Sequence, residues 1–315
     1  MRELDYRKVH AVDLQRLRNK RGRICHQAYV TALPQLVHPG KFSLKTAEVF
    51  SYDSYNPRGI LPIWSILKVF DTSRCFAFWG DPQRWNCTHN FLHLDALDST
   101  NLVVSMKMSC EPEIYDPKLV KQPVEAGFEL VYVGSTSFVL GSNIYLPGFK
   151  KSLAKKDICF VSVDKDTHRP QKLPDWWKEK YSQYSLPAEK PISFKSFDFA
   201  QPGTIVQHEN IVVRTTDLDG LCHVNNASFV RFCYEAYIAC HVRQFGYTPQ
   251  ADPYRNVKTV SCVFKGEAEL GNLLQVSFVQ DPDNRDTYHF QILKNPGGII
   301  FESCLEFFPQ MSSKY

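Results

Sequence analysis

Apolar and polar positions along the chain run through the same order twice. An extended stretch from about Lys41 (KFSLKTAEVFSYD) ends at Asp53 and a turn-rich YNPRG. Beyond it Ile60, Ile63, Trp64, Leu67 and Phe70 recur at helical spacing, which predicts an amphipathic helix. Strand patterns follow at Asn101–Cys110, Val124–Val133, Ser137–Leu146 and Asp157–Val163, two of them split by the tight Gly134-Ser135 turn. The second pass begins with an extended His208–Asp217 and a turn at Gly220. Phe229, Phe232, Cys233, Ala236 and Cys240 then line one helix face, and Gly246 supplies the stop signal. Strands are predicted at Val257–Phe264, Leu273–Val279, Thr287–Leu293 and Ile299–Phe308. Alternation of Leu274, Val276 and Phe278 with polar neighbours fits antiparallel strands with one buried face.

Each half therefore reads as strand, long helix, then about four strands. One helix wrapped by a curved antiparallel sheet satisfies that order, and two such units can pair into one continuous sheet, protecting edges that either half alone would expose. The units are placed at residues 41–164 and 201–310, after an N-terminal extension (1–40) and before a short tail (311–315). The intervening 165–200, with Trp176-Trp177, reads as an ordered linker whose tryptophans are packing anchors.

Composition narrows the class without deciding it. At 315 residues, 43% hydrophobic and 22% charged, the chain is an ordinary globular protein with room for two units. A net charge of +4 makes no electrostatic case for nucleic acid. The ten cysteines show no CxxC pair and read as small apolar core residues in a reducing, cytoplasmic setting. Cys222 adjoins His223, but neighbours in an extended loop seldom face each other, so it is not taken as a nucleophile. No run is long enough to span a membrane. The basic Arg16–Arg23 follows acidic Glu3, Asp5 and Asp13, which makes a mitochondrial presequence the weaker reading of a solvated basic segment. No His/Asp/Glu set has metal-ligand spacing and no glycine loop suits a phosphate, so no cofactor is expected.

The candidate chemistry is concentrated in Arg214–Tyr234, RTTDLDGLCHVNNASFVRFCY. Alternate residues of an extended segment share a face, so Asp217 and Asp219 are expected to project together, with Leu218 opposite. His223 lies beyond the flexible Gly220 and can fold back towards Asp219. Asn225 or Asn226 is placed to cap the helix, with unpaired backbone N–H groups behind it. Such a helix end favours negative charge developing on an oxygen, as at an ester or thioester carbonyl, while Asp219 or His223 activates water or Asp219 attacks directly.

The run D-L-D-G-L-C-H-V-N-N-A-S-F resembles the signature of hot-dog-fold thioesterases, especially acyl-ACP thioesterases and relatives of 4-hydroxybenzoyl-CoA thioesterase. The resemblance implies an α+β double hot dog in which one unit does the chemistry and the other binds substrate or only supports the fold. It implies Asp219 and His223 as catalytic residues, with Asp217, Asn225, Asn226 and Ala227 around the substrate. Two departures stand out. Leu221 occupies the position two before the histidine where plant-type enzymes carry Asn. The later strand reads Phe264-Lys265-Gly266-Glu267-Ala268, keeping a Glu but lacking the Cys, and Glu267 is carried over as an orienting group or base. The expected activity is release of a carboxylic, fatty acid from acyl-CoA or an acyl carrier protein, by a monomer or homodimer. A non-catalytic acyl-thioester- or lipid-binding protein of the same fold is the alternative, encouraged by Leu221.

Overall fold

The computed structural model describes residues 35–46, 50–79, 90–185, 192–201, 204–247 and 252–309. The basic Arg16–Arg23 lies outside them, as do Cys25 and Cys87. In chain order the elements are β1 (Gln35–His38), β2 (Lys41–Thr46), α1 (Ile63–Trp79), β3 (Thr100–Cys110), β4 (Val124–Val133), β5 (Ser137–Tyr145) and β6 (Ala154–Val163). There follow α2 (Asp175–Tyr181), β7 (Gln207–Val212), α3 (Asn226–Phe245), β8 (Val257–Phe264), β9 (Leu273–Gln280), β10 (Thr287–Lys294) and β11 (Gly298–Phe307).

All eleven strands form one antiparallel sheet in the order β1-β2-β4-β5-β6-β3-β8-β11-β10-β9-β7. Leaving β1 aside, the order is the same read inward from either end: β2-β4-β5-β6-β3 on one side answers β7-β9-β10-β11-β8 on the other. The halves meet where β3 pairs with β8, Met106 opposite Cys262 and Met108 opposite Val260. The strand β1, within the stretch assigned to the extension, hairpins onto β2 and starts the sheet.

Both long helices lie against the same face. Ile63, Ile66, Leu67 and Phe70 of α1 share a core with Phe229, Phe232, Cys233 and Ala236 of α3 and with inward residues of β3 and β8 to β11. A second core fills the first half, from Phe42 and Leu44 through Phe76 and Phe78 to Phe138 and Phe160. Trp177 on α2 closes it, fully buried and donating its Nε1–H to the Leu92 carbonyl at 2.7 Å, whereas Trp176 is 43% exposed. Trp64 meets Tyr234 edge-on, ring centroids 5.3 Å apart, where α1 and α3 pack.

Residues 192–201 cross the opposite, outward face of the sheet. Ile192 packs by Val131, Val139 and Cys159, Ser196 donates to Glu302 Oε2 at 2.8 Å, and Phe197 stacks on the His289 ring at 4.5 Å. The segment thus links strands of both halves. The eight cysteines among the described residues are free thiols, and Cys110, Cys159, Cys233, Cys240 and Cys262 are buried, as apolar packing predicts. No helix among the described residues is long and apolar enough to cross a membrane.

Candidate active site

The loop between β7 and α3 is built around a buried carboxylate. Thr215–Asp217 forms a single 3-10 turn, with Asp217 N–H donating to the Arg214 carbonyl at 3.0 Å. That turn rotates Asp217 inward. It is 2% exposed, accepts from the Arg214 N–H at 2.7 Å through Oδ2, and pairs through Oδ1 with the Arg231 guanidinium of α3. Asp219 lies beyond the turn and is only half-buried. The expectation that the two aspartates project together is thus corrected: it assumed an extended chain, and the 3-10 turn breaks the alternation.

From Asp219 the chain doubles back. Leu218 and Val224 bridge, the Asp219 N–H donates to the His223 carbonyl at 2.7 Å, and the Cys222 N–H returns to the Asp219 carbonyl at 3.1 Å. Cys222 holds a left-handed φ of 63°, the conformation that closes so tight a turn. Asp219 Oδ1 accepts the Leu221 N–H at 2.6 Å, which fixes the carboxylate over its own turn. The hairpin is pinned to the stretch after β8 by a His223–Glu269 bridge and by Val224 N–H donating to the Ala268 carbonyl at 2.8 Å.

This second stretch delivers Glu267. Lys265 and Gly266 both donate to the Ile300 carbonyl, at 2.8 and 3.1 Å, and a Cβ on Gly266 would lie 2.9 Å from Ile300 Cγ2. Glycine is what allows the chain to pass Ile300 so closely before Glu267 turns out. The Glu267 carboxylate then faces His223, Oε2 to Nε2 3.5 Å, with the two side chains 58% and 36% exposed. The structure brings His223 and Glu267 together across two segments, and holds His223 to Asp219 through the backbone.

Asn225 is the helix cap. Its Oδ1 accepts the Ala227 N–H at 2.8 Å, its carbonyl takes the Ser228 and Phe229 N–H groups at 2.9 and 3.3 Å, and its own N–H donates to the Asp217 carbonyl at 2.9 Å. Ala227 is fully buried with its N–H already used. Asn226, first residue of α3, keeps a backbone N–H without a partner among the described residues, at the positive end of a 20-residue helix. A half-buried carboxylate, an imidazole–carboxylate pair and one open N–H at a helix end thus occupy a single corner. Such a set can hold an oxyanion and handle a water proton.

Sequence reasoning did not find Arg231. It reaches Asp217 across 14 residues and pairs also with Glu235 at 3.8 Å. The available signal was an arginine between Val230 and Phe232 in an apolar helix face. Burial pushes the Glu235 carboxyl up, against the pull of Arg231. His241 and His289 lie away from this corner's hydrogen bonds: His241 packs between Tyr237 and Phe245, and His289 pairs with Asp281 at 2.7 Å. Among the described residues no group of three or more His, Cys, Asp or Glu could hold a metal ion.

No family model matches the chain, and no curated protein matches it. Solved structures do. The chain is similar to the 12:0-ACP thioesterase from Umbellularia californica, with TM-score 0.59, 13% identity, and 85% of this chain and 98% of that one covered. It is similar to an acyl-ACP thioesterase from Bacteroides thetaiotaomicron, with TM-score 0.58, 13% identity and the same coverage. A Lactobacillus plantarum protein named as an oleoyl thioesterase superposes at TM-score 0.64 and 12% identity, covering 88% of this chain and 99% of its own. At such identities the likeness concerns the fold, which is the hot-dog fold of these thioesterases, as the D-L-D-G-L-C-H-V-N-N motif implied.

Proposed function

We propose that the chain is an acyl thioester hydrolase, two hot-dog units in tandem, with the chemistry in the second. The observation that carries this reading is the convergence at one corner of Asp219, the His223–Glu267 pair and the Asn226 N–H at the start of α3. The thioester carbonyl oxygen would lie at the Asn226 N–H, where the helix end stabilises the charge that develops as the carbon becomes tetrahedral. Asp219, fixed on its turn, activates water or attacks the carbonyl carbon. His223 orients that water, and Glu267 orients His223 in turn. Asp217 stands behind the site, neutralised by Arg231, and supports it by holding the Asn225 N–H and hence the start of the helix.

The substrate is an acyl-CoA or acyl carrier protein thioester, and the first unit holds the acyl group. What supports this assignment is the fold shared with acyl-ACP thioesterases. Hydrolysis of a panel of acyl-CoA and acyl-ACP thioesters tests it. Wild type should turn over at least one member, and Asp219→Asn should lose about 10²–10⁴ in kcat. Indistinguishable rates across the whole panel would end the assignment. A single turnover in ¹⁸O-water separates the two roles of Asp219. Label in the Asp219 carboxylate requires a mixed anhydride opened at the Asp219 carbon, which general-base catalysis never forms.

A further inference from the structure

The first half buries a charged cluster in the midst of its core, far from the corner just described. Asp71 and Arg74 on α1 and Lys156 on β6 are 7%, 9% and 1% exposed. Lys156 Nζ donates to Asp71 Oδ1 at 2.8 Å and Arg74 Nη2 reaches the same oxygen at 3.3 Å. Both cations also lie over aromatic rings, Lys156 over Phe70 and Arg74 over Phe160. Two cations therefore share one carboxylate, and among the described residues no other carboxylate is bonded to either. Burial pulls the Lys156 ammonium below its ordinary range, against the pull of Asp71.

Donors around the cluster outnumber acceptors. Arg74 Nε is buried without a hydrogen-bond partner, and so is the Oγ of Ser142, a residue 2% exposed. Ser142 on β5 stands directly opposite Lys156 on β6, and both side chains face the core. Unpaired buried donors are costly and uncommon in folded proteins. The fold itself does not require charge here. In the second half the matching contact between central helix and strand is Cys233 Sγ to Ser303 Oγ at 3.5 Å, with no ionised group.

Position gives the cluster its meaning. Lys156, Met108 and Val260 form one row across β6, β3 and β8, and Glu267 lies seven residues beyond Val260. At about 3.3 Å per residue along the strand and about 4.8 Å per strand across the sheet, the cluster is thus roughly 25 Å from the candidate active site. The inward residues of β3 on this stretch are Met106 and Met108, each 1% exposed, unbranched side chains that re-pack readily around a guest chain.

We propose that the Asp71–Arg74–Lys156–Ser142 cluster is a binding site for a carboxylate at the far end of the acyl group, so that the substrates are thioesters of long α,ω-dicarboxylic acids. Arg74 Nε, the remaining Lys156 N–H groups and the Ser142 hydroxyl donate to the carboxylate. Its charge balances the second cation. This specificity rests on the hydrolase reading, whereas binding at the cluster does not.

Two experiments separate the layers. Calorimetry with free dicarboxylic and monocarboxylic acids of equal length, about 16 to 20 carbons for the span above, requires no turnover. The diacid should bind at least tenfold tighter, and Lys156→Met and Ser142→Ala should abolish that margin. Equal binding of the two acids, or a margin unchanged in both variants, overturns the proposal. Hydrolysis of the matching ω-carboxyacyl-CoA and methyl-ended acyl-CoA should show the same preference in kcat/KM, reversed in Lys156→Met. Diacid binding without hydrolysis of any thioester would sink the hydrolase reading and leave the site standing. Turnover favouring methyl-ended chains would do the opposite. Should Lys156→Met fail to fold, Ser142→Ala and Arg74→Lys carry the comparison.

Discussion

The two halves share a strand order and a long central helix, yet they place their polar groups in opposite positions. In the first half the turn before α1 is held by its own side chains. Asn56 Oδ1 accepts the Arg58 and Ile60 N–H groups at 3.0 Å each, Ser51 pairs with Asp53, and Ser65 ties back to the Ser54 carbonyl at 2.8 Å. Those contacts close the turn on itself. In the second half the equivalent turn is anchored from below by Asp217 and Arg231, and its outward side carries Asp219 and His223 with Glu267 opposite. The cores reverse the contrast. Asp71, Arg74 and Lys156 meet between the first helix and the sheet, where the matching contact in the second half is Cys233 with Ser303. The first turn commits its Asn56 oxygen and its serines to itself, whereas the second, anchored from beneath, commits one Asp219 oxygen to the Leu221 N–H and leaves the His223 ring facing Glu267.

This contrast can be broken most directly at the aspartates of the two turns. Asp219→Asn should lower kcat by about 10²–10⁴, whereas Asp53→Asn should leave it within a factor of two or so in the same assay. Equal effects at the two positions would mean that the second turn has no special role. Next comes the anchor. Arg231→Met strands a carboxylate that is 2% exposed, and chemical denaturation should report a loss of about 3 kcal/mol. A stability within about 0.5 kcal/mol of wild type would show that Asp217 is not held from beneath.

A smaller effect is expected at the cap. Pro62 precedes α1 where Asn225 precedes α3, and only the latter spends a side-chain oxygen on a helix N–H. Asn225→Ala should cost about 1 kcal/mol by denaturant titration. The least effect concerns pH. Burial holds the His241 imidazole below its ordinary 6.5, and its Nδ1 is buried without a partner. The unfolded chain then binds this proton more readily, so stability falls as pH drops below about 6.5 through the lower folded value. His241→Phe should flatten that fall in melting experiments from pH 7 to 5. The first helix has no histidine, so an unchanged slope would place the titration elsewhere in the molecule.

Much of the fold was legible because both halves follow local rules. Period-two alternation located β3 to β6 and β8 to β11 to within a few residues, and helical spacing from Ile60 and Phe229 found both central helices. The four-residue β1 gave too short a pattern to separate from the extension. The candidate site was legible as a cluster, and Asn225 was among the residues singled out as its cap. What escaped were relations between distant residues. Asp217 could not be seen to turn inward without Arg231, 14 positions on, and the pairing of Asp71 with Lys156 spans 85. Periodicity records which face a residue occupies, but not which charge lies beneath it.

The pairing of β3 with β8 has an evolutionary consequence. A unit that assembled with an identical copy would have to carry every residue twice, so a buried charge cluster and a reactive turn could never be allotted to separate partners. Joined in one chain and zipped along one seam, the two units can mutate independently while remaining obligate neighbours. The unlike turns and cores of the two halves are what a single chain permits and a symmetric dimer denies.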